Sequence, residues 1–231
     1  MGAWSSAQSD SDTNLLFVRN YHTLLTNVAF MSQLALSILN AIQNLPEGGL
    51  LAPKEFLHLG SRAAVDQTFT RLTREGQLLR VGRGMYALPV PSRFGSRAPS
   101  TESVVEAIES AQGEAIVPNG AAEANALGLT TQVPVREVFL TAGPSKMLHL
   151  GQRSVELQHA KRWLLVLGKR PAGKAIRALS WLGPQEATTA ARILHAQFPP
   201  DEWSALRAAR ALLPSWMARA VSEASVGSVH G

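Results

Sequence analysis

Cysteine is absent from the 231 residues. That absence excludes a disulfide scaffold, an iron–sulfur cluster, thiolate-bound zinc and a thiol nucleophile, and nothing points to an oxidising compartment. Aspartate is scarce: Asp10, Asp12, Asp66 and Asp201 are the whole set. None ends an apolar strand, where metal-dependent phosphoryl transfer would need one. The six histidines (22, 58, 149, 159, 195, 230) show no paired spacing of the H-E-x-x-H kind, so neither a metal nor a cofactor is expected. Apolar runs of membrane length are missing too, since Val28 to Ile42 is broken by Ser32, Gln33, Ser37 and Asn40. Gly2 to Asn14 holds two Asp and no base, unlike a secretory leader. A cytoplasmic protein with no membrane partner is expected.

What is present is the balance of a folded chain, with 45% hydrophobic and 17% charged residues. The net charge of +5 is unevenly placed. Ser61 to Arg97 holds seven Arg against Asp66 and Glu75, and Lys146 to Arg177 holds eight Lys or Arg against Glu156 alone. Clusters of this kind are the electrostatic footprint of nucleic-acid contact, with a solvated basic face as the alternative. Residues 1–30 are Ser/Asp-rich at their start and read as a disordered or loosely docked extension.

Residues 31–88 read as a winged helix-turn-helix. Leu34, Ile38, Leu39, Ile42 and Leu45 fall on one helical face, and Pro46-Glu-Gly-Gly ends that helix. A short helix from Pro53 to about Leu59 follows, then Gly60 as the turn and Ser61 as the N-cap of a longer helix ending at Gly76. On that helix Val65, Phe69 and Leu72 face the core, while Gln67, Thr70, Arg71 and Arg74 project outward with donors suited to base edges and phosphates. Two short apolar runs, Leu78–Val81 and Met85–Leu88, flank Gly82-Arg83-Gly84 as a β-hairpin wing. An Arg at a wing tip suits a narrow, electronegative minor groove. A winged helix used for protein contacts is the competing reading.

Residues 89–99 carry three Pro, two Ser and a Gly, the composition of a linker. Beyond it, residues 100–231 read as an α/β domain. A helix through Gln112, strands near 114–117, 135–141, 147–150, 154–158 and 163–167, and a helix from Gly120 to Gly128 make a small mixed sheet with its flanking helices. Four further helices, separated by Gly183-Pro184, Pro199-Pro200 and Pro214, form a helical C-terminal part. The fold class expected is α+β, in two separable modules.

Gly168-Lys-Arg-Pro-Ala-Gly173-Lys174 matches G-x-x-x-x-G-K, the pattern of a phosphate-binding loop. It departs where chemistry is needed: Ala175 replaces the hydroxyl that would hold magnesium, and Pro171 removes a backbone donor. With no nucleophile elbow and no carboxylate cluster, enzymatic activity is not expected.

Several strings together resemble the AbiEi-type antitoxins of abortive-infection, type IV toxin–antitoxin systems. They are Gly60-Ser-Arg-Ala-Ala-Val-Asp-Gln-Thr-Phe-Thr-Arg-Leu, Gly76-Gln-Leu-Leu-Arg-Val-Gly-Arg-Gly-Met-Tyr86, Asn119-Gly-Ala-Ala-Glu-Ala-Asn-Ala-Leu-Gly-Leu-Thr-Thr-Gln-Val-Pro134, Phe139-Leu-Thr-Ala-Gly143 and Leu179-Ser-Trp-Leu-Gly183. The resemblance implies an N-terminal winged helix that represses its own operon and a C-terminal antitoxin domain. That domain counteracts a co-encoded nucleotidyltransferase-like toxin, with or without direct contact. It further implies double-stranded operator DNA as partner, read by Arg62, Gln67, Thr70, Arg71, Arg74, Arg80 and Arg83. Lys146, Lys161, Arg162, Lys169, Arg170 and Lys174 become candidates for antitoxicity or a second basic surface. A winged-helix regulator whose C-terminal domain senses a small molecule is the alternative.

Overall fold

Among the described residues, serine opens both α-helices of the first half. The structure is a computed structural model that describes residues 32–93 and 95–226; the expectation for residues 1–30 lies outside them. Ser32 Oγ accepts from the Ala35 N–H at 3.3 Å and starts α1 (Gln33–Gln43), whose Ala35, Ile38, Leu39 and Ile42 are buried. Strand β1 (Leu50–Leu51) follows, then one 3₁₀ turn, Pro53–Phe56, in place of the expected helix to Leu59. Ser61 Oγ accepts from the Ala64 N–H at 3.3 Å and starts α2 (Arg62–Arg74). Strands β2 (Leu79–Gly82) and β3 (Met85–Ala87) form an antiparallel ribbon, and β1 completes a sheet of order β1-β3-β2. The Phe69 ring sits 5.7 Å from Phe56 and 4.7 Å from Tyr86, tying helix, turn and sheet into one core.

The second half is built on a mixed four-stranded sheet. Helix α3 (Thr101–Gln112), capped by Ser100, packs on β6 (Ile116–Pro118), β7 (Glu137–Thr141), β8 (Lys146–Leu150) and β9 (Arg153–His159), in the order β6-β7-β9-β8. Only β7 and β9 run parallel. Short α4 (Gly120–Ala126) joins β6 to β7 and packs on α5 (Pro171–Leu182). A helical layer of α5, α6 (Ala187–Gln197), α7 (Pro200–Ala208) and α8 (Ser215–Val226) buries Ile176, Leu179, Leu194, Trp203, Leu206 and Met217 in a second core. The chain is α+β. Among the described residues no helix is long and apolar enough to cross a membrane.

One expected strand is absent. Trp163–Leu167 forms a 3₁₀ turn, Arg162–Leu165, followed by a reversal with positive φ at Leu167 (63°) and Gly168 (51°). An apolar run of five fits a strand or a buried turn equally well, and period alone does not separate them. Here the Gly168 carbonyl accepts from Arg177 Nη1 at 3.0 Å instead of from a neighbouring strand.

The Pro-rich stretch 89–99 is no loose tether. It pairs with itself as β4 (Val90–Ser92) and β5 (Gly95–Arg97). Arg97 then donates to Glu47 at 3.0 and 3.3 Å, and the Ser100 N–H donates to the same carboxylate at 3.1 Å. The Arg97 guanidinium, aided by the Ser100 N–H, holds the Glu47 carboxyl below the usual carboxylate range. Gly48 leaves no room for a Cβ against the Ser103 backbone. Most telling, Val81 and Ala87 of the ribbon share one core with Val104, Val105, Ile108, Leu148, Leu150, Val155 and Leu157. The halves expected to separate are packed as one body.

Candidate nucleic-acid interface

The outward side of α2 follows from its inward side. Burial of Val65, Thr68, Phe69 and Leu72 turns Arg62, Ala63, Gln67, Thr70 and Arg74 to solvent. Arg80, on edge strand β2, and Arg83, at the ribbon tip, are exposed as well. The side chains of Gln67, Arg74, Arg80 and Arg83 form no hydrogen bond or ion pair among the described residues. They are therefore available to an incoming anion. Arg62 is engaged by Asp66 at 2.8 Å, and the Thr70 hydroxyl donates to the Asp66 carbonyl at 2.8 Å. Arg71 departs from its expected outward position. It is half-buried, its Nε and Nη2 are covered without a hydrogen-bond partner, and its nearest carboxylate is Glu75 at 3.9 Å.

The second basic stretch divides by role. Arg177 is wholly buried and bound to Glu123 by Nε (3.2 Å) and Nη2 (2.7 Å). Lys169 pairs with Glu109, and Arg170 with Glu202 at 2.8 Å. Lys146 is half-buried; burial lowers its ammonium pKa, and nearby Glu114 pulls the other way. Lys161 and Arg162 are exposed, Lys174 is half-exposed, and none of the three is paired among the described residues. Eight cations in sequence thus leave three with both exposure and freedom.

The G-x-x-x-x-G-K string is a packing device. A Cβ at Gly173 would lie 2.5 Å from the Gly168 carbonyl oxygen, so the glycine serves the approach of the turn to α5. The α5 N-terminus, which would receive a phosphate, is filled by a carboxylate. Glu202 Oε2 accepts from the Ala172 N–H at 3.0 Å, and its Oε1 accepts from Arg170. The Ala172 N–H first, and Arg170 second, hold Glu202 below the ordinary carboxylate range. A carboxyl whose folded pKa is depressed contributes stability above its unfolded pKa of about 4.3 and loses it as pH falls through the folded value. Thermal melts should show Glu202→Gln less stable than the parent at pH 7, with a smaller further loss on acidification to about pH 3. Parallel losses for both proteins would show that Glu202 stays protonated or unpaired in the fold.

The Asn119–Pro134 string also resolves into structural roles. Asn119 Oδ1 accepts from the Ala122 N–H at 3.0 Å and caps α4; Gly120 lies against the Arg177 backbone; Glu123 holds Arg177. Asn125 Nδ2 donates to the Gln132 carbonyl at 3.0 Å and pins the following loop. That loop presents Val133 and Val135 to solvent, the latter fully. Sequence reasoning missed the Glu123–Arg177 pair, because 54 positions separate its members and nothing local marks either as buried. Between α6 and α7 lies an open surface cleft of about 300 Å³, lined by His195, Phe198, Pro200, Trp203, Ser204 and Arg207. Among the described residues no three His, Asp or Glu group as metal ligands.

No curated protein matches the chain. Among solved structures the chain is similar to the crystal structure of the RV2827C protein from Mycobacterium tuberculosis, at 15% identity and a TM-score of 0.46, over 86% of this chain and 80% of that one. Residues 37–196 match a family of unknown function, DUF6088, and with well over half of its length matched the chain belongs to that family.

Proposed function

We propose that this chain is a DNA-binding transcriptional autorepressor and the antitoxin of a type IV toxin–antitoxin operon, counteracting a nucleotidyltransferase-like toxin. One observation carries the DNA-binding part: a serine-capped helix follows a tight turn and presents Gln67 and Arg74, beside a ribbon presenting Arg80 and Arg83, all four exposed and with side chains unpaired among the described residues. In this reading residues 32–88 are a winged helix-turn-helix, α2 enters the major groove and the ribbon tip enters the adjacent minor groove. The antitoxin part rests on the sequence resemblance to AbiEi-type proteins and is a reading of residues 100–226.

Gel-shift titration against the upstream region of the chain's own gene tests the first part. Arg83→Ala should weaken binding most at A·T-rich sites and flatten the salt dependence of log affinity by about 0.9. Gln67→Ala should relax preference at one base pair, worth about 1–3 kcal/mol of discrimination. Equal affinity for upstream and random duplexes in moderate salt removes the specific reading. Co-expression with the product of the neighbouring gene tests the second part, by growth rescue.

A further inference from the structure

Burial of Val65, Phe69 and Leu72 fixes the direction of every other side chain on α2. At about 100° per residue, the midline of the opposite side runs through Ala63, Gln67, Thr70 and Arg74, all four exposed. The remaining charged residues lie off that midline. Arg62 and Asp66 flank it on one side, joined at 2.8 Å, and half-buried Arg71 flanks it on the other. Thr70 donates its hydroxyl proton to the Asp66 carbonyl at 2.8 Å, which leaves its methyl group and a hydroxyl lone pair for an incoming partner. The Gln67 carboxamide is unpaired among the described residues. From Ala63 to Thr70 the helix rises about 10 Å, close to three base-pair steps of a duplex. The order along the midline is methyl, carboxamide, methyl, and then, in the last turn, a guanidinium.

We propose that α2 reads a short A·T core, with Gln67 on one adenine and the methyl groups of Ala63 and Thr70 on thymines to either side. This inference rests on the DNA-reading proposal and goes on to name the bases. A carboxamide sets a donor beside an acceptor, the complement of adenine in the major groove: Nε2 donates to N7, and Oε1 accepts from the N6 amino group. Guanine presents two acceptors there and calls for the fork of an Arg or the ammonium of a Lys. The midline holds no cation before Arg74, at the end of α2, whereas a recognition helix meets base edges with its N-terminal residues. Arg62, the one cation of the first two turns, is drawn aside by Asp66. Cytosine calls for a carboxylate, and Asp66, which is the only one on α2, sits off the midline against Arg62. Ala63 and Thr70 lie about one turn to either side of Gln67, and thymine alone offers a methyl group in the major groove.

Full-length protein and a randomised duplex library test the code. Selection should return a site with about three or four consecutive A·T pairs, one of them the position at which Gln67→Ala loses its preference. On that site, 7-deazaadenine at this position, which removes N7, should weaken the parent about fivefold or more and leave Gln67→Ala unaffected. Deoxyuridine in place of a flanking thymine removes only a methyl group and should weaken the parent about two- to fourfold. Ala63→Gly should be indifferent to that change on one flank, and Thr70→Ser on the other. Gln67→Arg should move the preferred base to guanine. All four positions substituted are exposed, so each variant should melt within about 4 °C of the parent. Guanine or cytosine facing Gln67 in the selected site, or a parent that tolerates both base analogues, overturns the A·T code and leaves specific DNA binding standing. An A·T preference that Gln67→Ala leaves intact also overturns it and assigns that preference to the ribbon. No selected sequence at all removes the DNA reading and this inference with it.

Discussion

Replacing Arg177 by Ala is expected to lower the melting temperature by about 6–20 °C. The guanidinium is fully buried, and Glu123, its partner, is 2% exposed. Burial pushes the pKa of Arg177 down, whereas the hydrogen bond and charge of Glu123 pull it back. Nη1 also donates to the Gly168 carbonyl at 3.0 Å, so one side chain ties α4, α5 and the turn before α5 together. Removing one member of such a pair leaves the other charge buried and uncompensated, at a cost of about 3–5 kcal/mol. For a chain of this size each kcal/mol corresponds to roughly 2–4 °C. Glu123→Ala should cost about as much. The double variant Glu123→Leu/Arg177→Met should recover most of the loss, because apolar residues of similar volume often match a buried ion pair. Calorimetry of the three variants checks this, and single variants within about 1 kcal/mol of the parent would mean that water reaches the pair.

Residues 32–88 made alone are expected to lack a cooperative melt and to lose specific DNA binding, although their elements read as a complete winged helix. The reason is the ribbon's second face. Val81 and Ala87 are wholly buried against Leu148, Leu150 and the α3 residues Val104 and Val105, and half-buried Leu50 and Met85 pack onto the same core. Cutting at Leu88 exposes that face, strips Glu47 of both donors, and leaves a fragment too small to offset the loss easily. Circular dichroism melts and gel shifts of the fragment beside the full chain make the comparison. In the full chain, Leu148→Ala probes the same contact and should cost about 2–5 kcal/mol. A sharp melt with full operator affinity from the fragment would show that the shared core is dispensable for the reader.

The helices were legible because their signals are local. A serine cap followed by apolar residues at spacings of three and four placed α1, α2 and α3 within a residue or two. Alternation placed β7, β8 and β9, and Gly151 marked their hairpin with a φ of 65°. Strand β1 escaped notice because two residues cannot show a period of two. The run 163–167 reads as a strand but folds as a turn over Arg162–Leu165, because a short apolar run has no period to distinguish the two.

By itself, then, the sequence determined the α+β class, the capped helix with Gln67 and Arg74 outward, and the ribbon with Arg83 at its tip. These are set by interactions within a few residues of each other, and a linear pattern records them. Tertiary structure alone decided which cations remain free. Arg177, Lys169 and Arg170 look like Lys161 and Arg162 in sequence, yet carboxylates 32 to 60 positions away claim the first three. It also decided that a Pro-rich stretch folds into a ribbon between halves that share a core. Charge pairing and burial act through space, so neither leaves a mark at a fixed spacing along the chain.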